Sequence, residues 1–299
     1  MIAPPDWVMR PVTGLYRRML PLRVRLFIYR IHNSEFVVIK KAVRYLKGMR
    51  ADDGMREILS YLPFAECLQY PYAWTVNIRT ADAVMDDSDG HPYVVLDGKK
   101  CYFPKGMSAD AVSQEATFLN YLEQHERSPH RYLTADFDVT CDDIVADCGG
   151  GDGNFGLSVV DRVKKLYVFE PDEKWQEPLR KTFGSWADKV EIVQKFVSDT
   201  DSDNSVTLDG FFKNREKTTF LKIDVEGYER NVLNGASELL NSSVKKVAVC
   251  TYHLVDDHDV LSAVMVSKGF SVSTSKGYML TSFDGKEPYI RHVLIRCSK

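Results

Sequence analysis

The chain has no pair of cysteines spaced C-x-x-C, no internal repeat and no low-complexity tract. Its six cysteines, at 67, 101, 141, 148, 250 and 297, are scattered, and several lie in apolar runs. This pattern argues against a zinc ribbon or a thioredoxin-type motif and points to buried thiols in a reducing compartment. No apolar run approaches the roughly 18 residues that a membrane span needs, and Met1-Ile-Ala-Pro-Pro-Asp6 lacks the apolar core of a signal peptide. A cytoplasmic location is expected. A large charge of one sign is missing too. A net charge of −3 over 299 residues, with 44% hydrophobic and 27% charged residues, is ordinary for a globular chain of one large domain or two smaller ones.

What charge there is sits unevenly. Residues 1–50 hold eleven Lys and Arg against two acids, a surplus of nine, which leaves −12 for the remainder. Leu15, Leu20, Leu22, Val24, Leu26, Phe27, Ile28 and Ile31 interleave with the arginines. Such a basic amphipathic segment either packs its apolar side on the main domain or makes peripheral contact with an anionic membrane through residues 10–50. The first is the simpler expectation. No nucleic-acid surface is expected.

Glycine is concentrated in one place. The segment Ile144-Val-Ala-Asp-Cys-Gly-Gly-Gly-Asp-Gly-Asn-Phe-Gly156 runs from an apolar strand through a glycine turn into a helical pattern. That is where a doubly wound sheet binds a nucleotide-like ligand. Gly149, Gly151 and Gly153 fit G-x-G-x-G, with Asp147 two residues before the first. Read from Gly149, the dinucleotide fingerprint would need glycine at 154, where Asn154 stands. A second apolar run, Lys165-Leu-Tyr-Val-Phe-Glu170, ends in an acid followed by Pro171. Glu170 is placed to accept hydrogen bonds from ribose hydroxyls, a feature that supports a nucleoside ligand without choosing which.

From 143 onward strands and helices alternate. Strands are expected near 143–148, 165–170, 190–197, 218–224 and 245–252, and helices near 154–163, 173–185, 228–240 and 257–268. This predicts a parallel sheet covered on both faces. The tail, with strand-like runs at 270–275, 278–282 and 292–297, turns antiparallel. Upstream, residues 12–62 read as mostly helical. Asp97-Gly98 joins two short strands as a β-hairpin, and residues 109–126 read as one amphipathic helix. Residues 1–137 are therefore expected to form a helical and hairpin region, and 138–299 the α/β domain. Every cofactor element lies beyond 140, so residues 107–299 alone are expected to bind the ligand.

Two further strand tips carry chemistry. Asp224 ends the apolar run Phe220-Leu-Lys-Ile223, and His253 ends Lys246-Val-Ala-Val-Cys-Thr-Tyr. In an open parallel sheet both can reach the crevice above the glycine loop, and a carboxylate with an imidazole suits general-base work.

Together these blocks resemble the FkbM family of S-adenosylmethionine (SAM)-dependent methyltransferases. The matching residues are Asp147-Cys-Gly-Gly-Gly-Asp-Gly153, Phe169-Glu-Pro171, Lys222-Ile-Asp-Val-Glu-Gly-Tyr-Glu229, Val232-Leu-Asn-Gly-Ala236 and Thr251-Tyr-His253. Gly150-Gly151 departs from the family, which often has Ala and then a variable residue. The resemblance implies a Rossmann-like seven-stranded sheet with SAM as cofactor. It also implies O-methylation of a hydroxyl on a sugar, polysaccharide or natural-product acceptor, a small-molecule or glycan partner. Cofactor contacts are expected from Asp147, with Asp147 near the ammonium end of SAM, and from Gly149, Gly151, Gly153, Asn154, Glu170, Pro171, Val197, Ser198 and Asp224. Asp224 and His253 are the expected catalytic pair, with His130 and Tyr132 in reserve. No metal is expected; the alternative is Mg²⁺ held by Asp224 with Asp256 or Asp257. The competing function is a noncatalytic nucleotide- or nucleotide-sugar-binding module on the same fold.

Overall fold

Runs of apolar residues with no polar alternation form strands only where both faces of a sheet are covered. Such runs form the centre of a seven-stranded sheet here, with more polar strands at its edges, in a computed structural model that describes residues 44, 52–62, 65, 67–281 and 290–299. The basic segment 10–50, apart from Arg44, and the end of the strand expected at 278–282 lie outside the described residues. The strands are β1 (Ile144–Cys148), β2 (Lys165–Phe169), β3 (Val190–Val193), β4 (Phe220–Ile223), β5 (Lys246–Cys250), β6 (Ser271–Thr274) and β7 (Leu294–Ser298). Their order across the sheet is β3-β2-β1-β4-β5-β7-β6. Strands β1 to β5 run parallel, and β7 runs antiparallel between β5 and β6. This is the Rossmann-like, mostly parallel seven-stranded sheet that was expected.

Successive residues point to opposite faces. Val145, Val168, Phe220 and Ala248 pack on one side with Phe155, Leu157 and Leu179. Ile144, Ala146, Tyr167, Leu221 and Val247 pack on the other with Leu233, Leu239, Leu261 and Met265. The order reverses between β1 and β4, because β1 leads outward to β2 while the chain later returns to β1's other edge as β4. Ligands of such sheets bind in the crevice at that reversal.

Three elements differ from the sequence reading, each for a local reason. The run 190–197 divides, since Phe196–Val197 leaves the sheet to pair with Ser205–Val206. The helix expected at 228–240 breaks into Glu229–Asn234 and Ser237–Ser242. At the break, a Cβ on Gly235 would stand 2.0 Å from the carbonyl oxygen of Ser198. The helix expected at 109–126 is α-helical only over Ala109–Ala116 and continues as a π-helical turn, Thr117–Leu122.

The hairpin forms as read. Pro92–Leu96 and Lys99–Tyr102 pair antiparallel, with Asp97 and Gly98 both at positive φ as a type I′ turn requires. It is not an appendage. Val94, Cys101 and Phe103 belong to the same buried cluster as Val145, Phe155 and Leu179. No helix among the described residues is long and apolar enough to cross a membrane.

Candidate active site

The glycine loop is tied down from within. The amides of Gly149 and Gly150 both donate to the Phe169 carbonyl at 3.0 Å, and that of Gly153 donates to the Gly150 carbonyl. Gly151 N donates to Glu170 Oε2 at 2.9 Å, and Asn154 N to Asp152 Oδ1 at 3.1 Å. Read from Gly151, the glycines 151, 153 and 156 do fit the dinucleotide spacing, so spacing alone does not choose the ligand. The amides do. A pyrophosphate is held by free N–H groups of such a loop, and five of these are already spent.

Beside the loop lies a cavity of about 630 Å³, within the usual range for small-ligand sites. Of the expected cofactor residues, Gly149, Gly151, Asn154, Glu170, Pro171, Val197, Ser198 and Asp224 line it. Glu170 also closes the loop, accepting from Gly151 N and from Asp172 N. Gly153 does not line the cavity; its Cβ position is filled by Leu179 and Phe183. Asp147 does not line it either. It is fully buried and paired at 3.1 Å with Lys222 Nζ, which also donates to the Gly149 carbonyl at 2.6 Å. This pair supports the loop from beneath, so the role expected of Asp147, contact with a ligand's ammonium, is not where its side chain sits.

The loop acid among the residues that line the cavity is Asp152, itself buried. Its Oδ2 has no hydrogen-bond partner among the described residues, and burial, with Glu115 and Asp147 adding to it, pushes its carboxyl up to about 7 against the Asn154 N–H. Glu123, Asp224 and Glu226 line the same cavity. The lysines there are engaged elsewhere, Lys222 by Asp147 and Lys195 by the Ser202 carbonyl. The cavity wall is therefore rich in carboxyl groups, of which Asp224 is firmly ionised.

Asp224 is the most heavily supported group. Tyr132 donates to Oδ2 at 2.7 Å and Tyr252 to Oδ1 at 3.3 Å. The Nε2 atoms of His130 and His253 stand 3.6 and 3.7 Å away. Burial opposes its charge, but Lys222, the two histidines and the Tyr132 hydroxyl together hold the carboxyl well below the usual carboxylate range. A carboxylate so stabilised is a poor proton acceptor. His253, the other expected base, is buried and does not line the cavity; its Nδ1 lies 2.9 Å from Glu229 Oε1. It holds Asp224 from behind.

Asp256 and Asp257 do not join Asp224. Both accept from Arg230, at 2.6 and 2.9 Å, and Asp257 also accepts from Leu254 N. The alternative Mg²⁺ set is thereby dispersed.

Three cavity groups had no assigned part in the sequence reading. Lys222 and Asp152 stand inside motifs already singled out, and their polarity beside apolar strands was the available signal. Glu123 had none, because its direction depends on the π-helical turn before it.

Residues 184–272 match the family model described as the methyltransferase FkbM domain. The match takes in β3, β4 and β5 and the start of β6, and does not reach the glycine loop. Among solved structures, similarity extends to an FkbM methyltransferase from Methylobacillus flagellatus KT, with 16% identity over 54% of this chain and 44% of that one and a TM-score of 0.43. A precorrin-6y C5,15-methyltransferase from Geobacter metallireducens GS-15 has 10% identity over 54% and 83%, with a TM-score of 0.37. A methyltransferase structure from Streptococcus mutans, in complex with SAH, has 13% identity over 54% and 90%, also with a TM-score of 0.37. This chain thus spans less than half of the first structure's length, and at these scores the likenesses add nothing to what the strand order shows. No curated protein matches.

Proposed function

We propose that the protein transfers the methyl group of SAM to a hydroxyl oxygen of an uncharged, sugar-like or natural-product acceptor. The observation that carries this reading is the charge of the cavity. A nucleotide site at a sheet reversal ordinarily offers amides or cations to phosphates. Here five loop amides are bonded internally, and Asp152, Glu123, Asp224 and Glu226 face the space instead. As its carboxyl groups ionise, that wall repels a diphosphate and attracts a cation. SAM is a nucleoside whose sulfonium and ammonium together outweigh its single carboxylate.

Asp152 suits the ammonium, in place of Asp147, and Glu170 suits the ribose. When bound, SAM supplies a methyl group on an already electrophilic sulfur, so the protein need only orient an oxygen and accept its proton. The same carboxylates disfavour phosphorylated or carboxylated acceptors, while the exposed ring of Tyr228 at the rim offers a flat apolar face of the kind on which sugar rings lie.

Isothermal titration with SAM, S-adenosylhomocysteine (SAH), NAD and UDP-glucose tests the reading. SAM and SAH should bind and the two pyrophosphates should not. As pH rises through about 7 and Asp152 ionises, SAM should bind more tightly. Asp152→Asn should lose that step and weaken SAM about ten- to a hundredfold above pH 7. Tight UDP-glucose binding without SAM binding would instead establish the nucleotide-sugar module.

A further inference from the structure

A π-helical turn is rare and costs regular hydrogen bonding, and it is found mostly where a helix must re-aim a side chain at a functional site. This chain has one at Thr117–Leu122, closed by a 3.0 Å bond from Glu123 N to the Phe118 carbonyl five residues back. One inserted residue turns everything after it by about 100°. The residue delivered into the cavity is Glu123.

Glu123 does not stand there alone. Tyr70 donates to its Oε1 at 3.3 Å, and His130 Nδ1 lies 3.6 Å from its Oε2. The other nitrogen of the same imidazole lies 3.6 Å from Asp224 Oδ2. One buried ring thus spans two carboxyl groups that line one cavity. We propose that Glu123 is the base that takes the acceptor's proton, that Asp224 is a permanent anion orienting the acceptor hydroxyl, and that His130 fixes the distance between them. This rests on the methyl-transfer reading above.

The two environments differ in the sense such a division of labour needs. Asp224 is held ionised by Lys222, His253 and the Tyr132 hydroxyl, against its burial. Burial first, and then the charges of Asp224 and Asp152, push Glu123 well above the usual carboxylate range; the Tyr70 hydroxyl and Lys222 oppose this only partly. The neighbouring imidazole does not neutralise it, since burial brings His130 down to about 4 and leaves it uncharged at neutral pH. A high-affinity carboxylate is the better proton acceptor once ionised, and a sulfonium cation in the same cavity favours that ionisation. In the step, the acceptor oxygen forms its bond to the methyl carbon as its proton passes to Glu123. The C–S bond pair stays on sulfur, which leaves SAH and a methyl ether.

SAM and SAH differ by one methyl group and one positive charge, so the ratio of their affinities reports the field at the sulfonium without any acceptor. In the full-length protein this preference for SAM should rise with pH as Glu123 ionises. In Glu123→Gln the rise should vanish while SAH affinity stays within about threefold. With methyl glycosides as acceptors, release of SAH should fall by roughly 10²–10⁴ in Glu123→Gln. Glu123→Asp, whose carboxyl is withdrawn by one methylene, should keep the rise and lose turnover. A pH-independent ratio in the unmodified protein, or one unchanged in Glu123→Gln, overturns the assignment. So does full turnover by Glu123→Gln, which leaves methyl transfer itself standing. Failure of the unmodified protein to bind SAM overturns both.

Discussion

A methyl group at position 149 would stand 1.8 Å from the Asp224 carbonyl oxygen, whereas one at 151 would meet nothing within 4 Å. The two glycines look equivalent in the sequence, yet they do different work. Gly149 lets β1 and β4 close together at the crevice. Gly151, at φ +52, leaves its open side toward the cavity. Gly149→Ala should therefore cost about 3 kcal/mol or more, since a backbone clash is added to left-handed strain. Gly151→Ala should cost about 1–2 kcal/mol, fold, and bind SAM more weakly. Thermal melts with and without SAM separate the two: stabilisation by ligand should shrink for Gly151→Ala at nearly normal starting stability. At this scale the loop's existence was legible in Asp147–Gly153, and so was Glu170, because strand–glycine–helix and strand–acid spacings are local. The exchange of Asp147 for Asp152 as the acid that lines the cavity was not legible. It depends on Lys222, more than seventy positions downstream, reaching beneath the loop.

Strand β4 carries Lys222 and Asp224 on the same face, two residues apart, with opposite fates. Lys222 is buried against Asp147, and its charge is kept because Asp147 and Asp224 outweigh the burial that opposes it. Removing one member of a buried pair leaves the other charge uncompensated, at a cost of about 3–5 kcal/mol. Lys222→Met should show this loss in denaturant unfolding, and adding Asp147→Leu should recover much of it. An unchanged midpoint for the single variant would mean that the pair contributes nothing to the loop's support. The strands themselves could be read ahead of the structure because a parallel sheet covered on both faces needs apolar residues at every position. Helix interruptions could not. Gly235 breaks a helix because the Ser198 carbonyl passes close by, and the turn at Thr117–Leu122 has no glycine or proline to announce it. Glu123 was hidden for that reason, since its helical register is set by an insertion rather than by the 3.6-residue period.

Over the whole molecule, the division at 137/138 rested on where motifs lie along the chain, and motif position says nothing about where the core closes. Val94, Cys101 and Phe103 are fully or almost fully buried in one cluster with Val145, Phe155 and Leu179. The amide of Tyr102 donates to Thr182 Oγ1, and Ile58, Leu62, Tyr70 and Tyr72 pack on Tyr278, Met279 and Val293 near the end of the chain. Removing residues 1–106 would uncover both clusters at once. Losing one large buried side chain costs about 3–5 kcal/mol, and a domain's total stability is only about 5–15 kcal/mol. Residues 107–299 should therefore fail to fold, contrary to the expectation that every cofactor element beyond 140 suffices. The cavity also crosses the 137/138 division, for Leu119, Glu123 and Tyr132 enter it from upstream of β1. Circular dichroism and SAM titration of residues 107–299 and 52–299 decide the matter. The longer piece, which keeps the 53–62 helix and its contact with Tyr278, should melt cooperatively and bind SAM. A cooperative melt and normal SAM affinity for the shorter piece would show that the α/β sheet closes its own core.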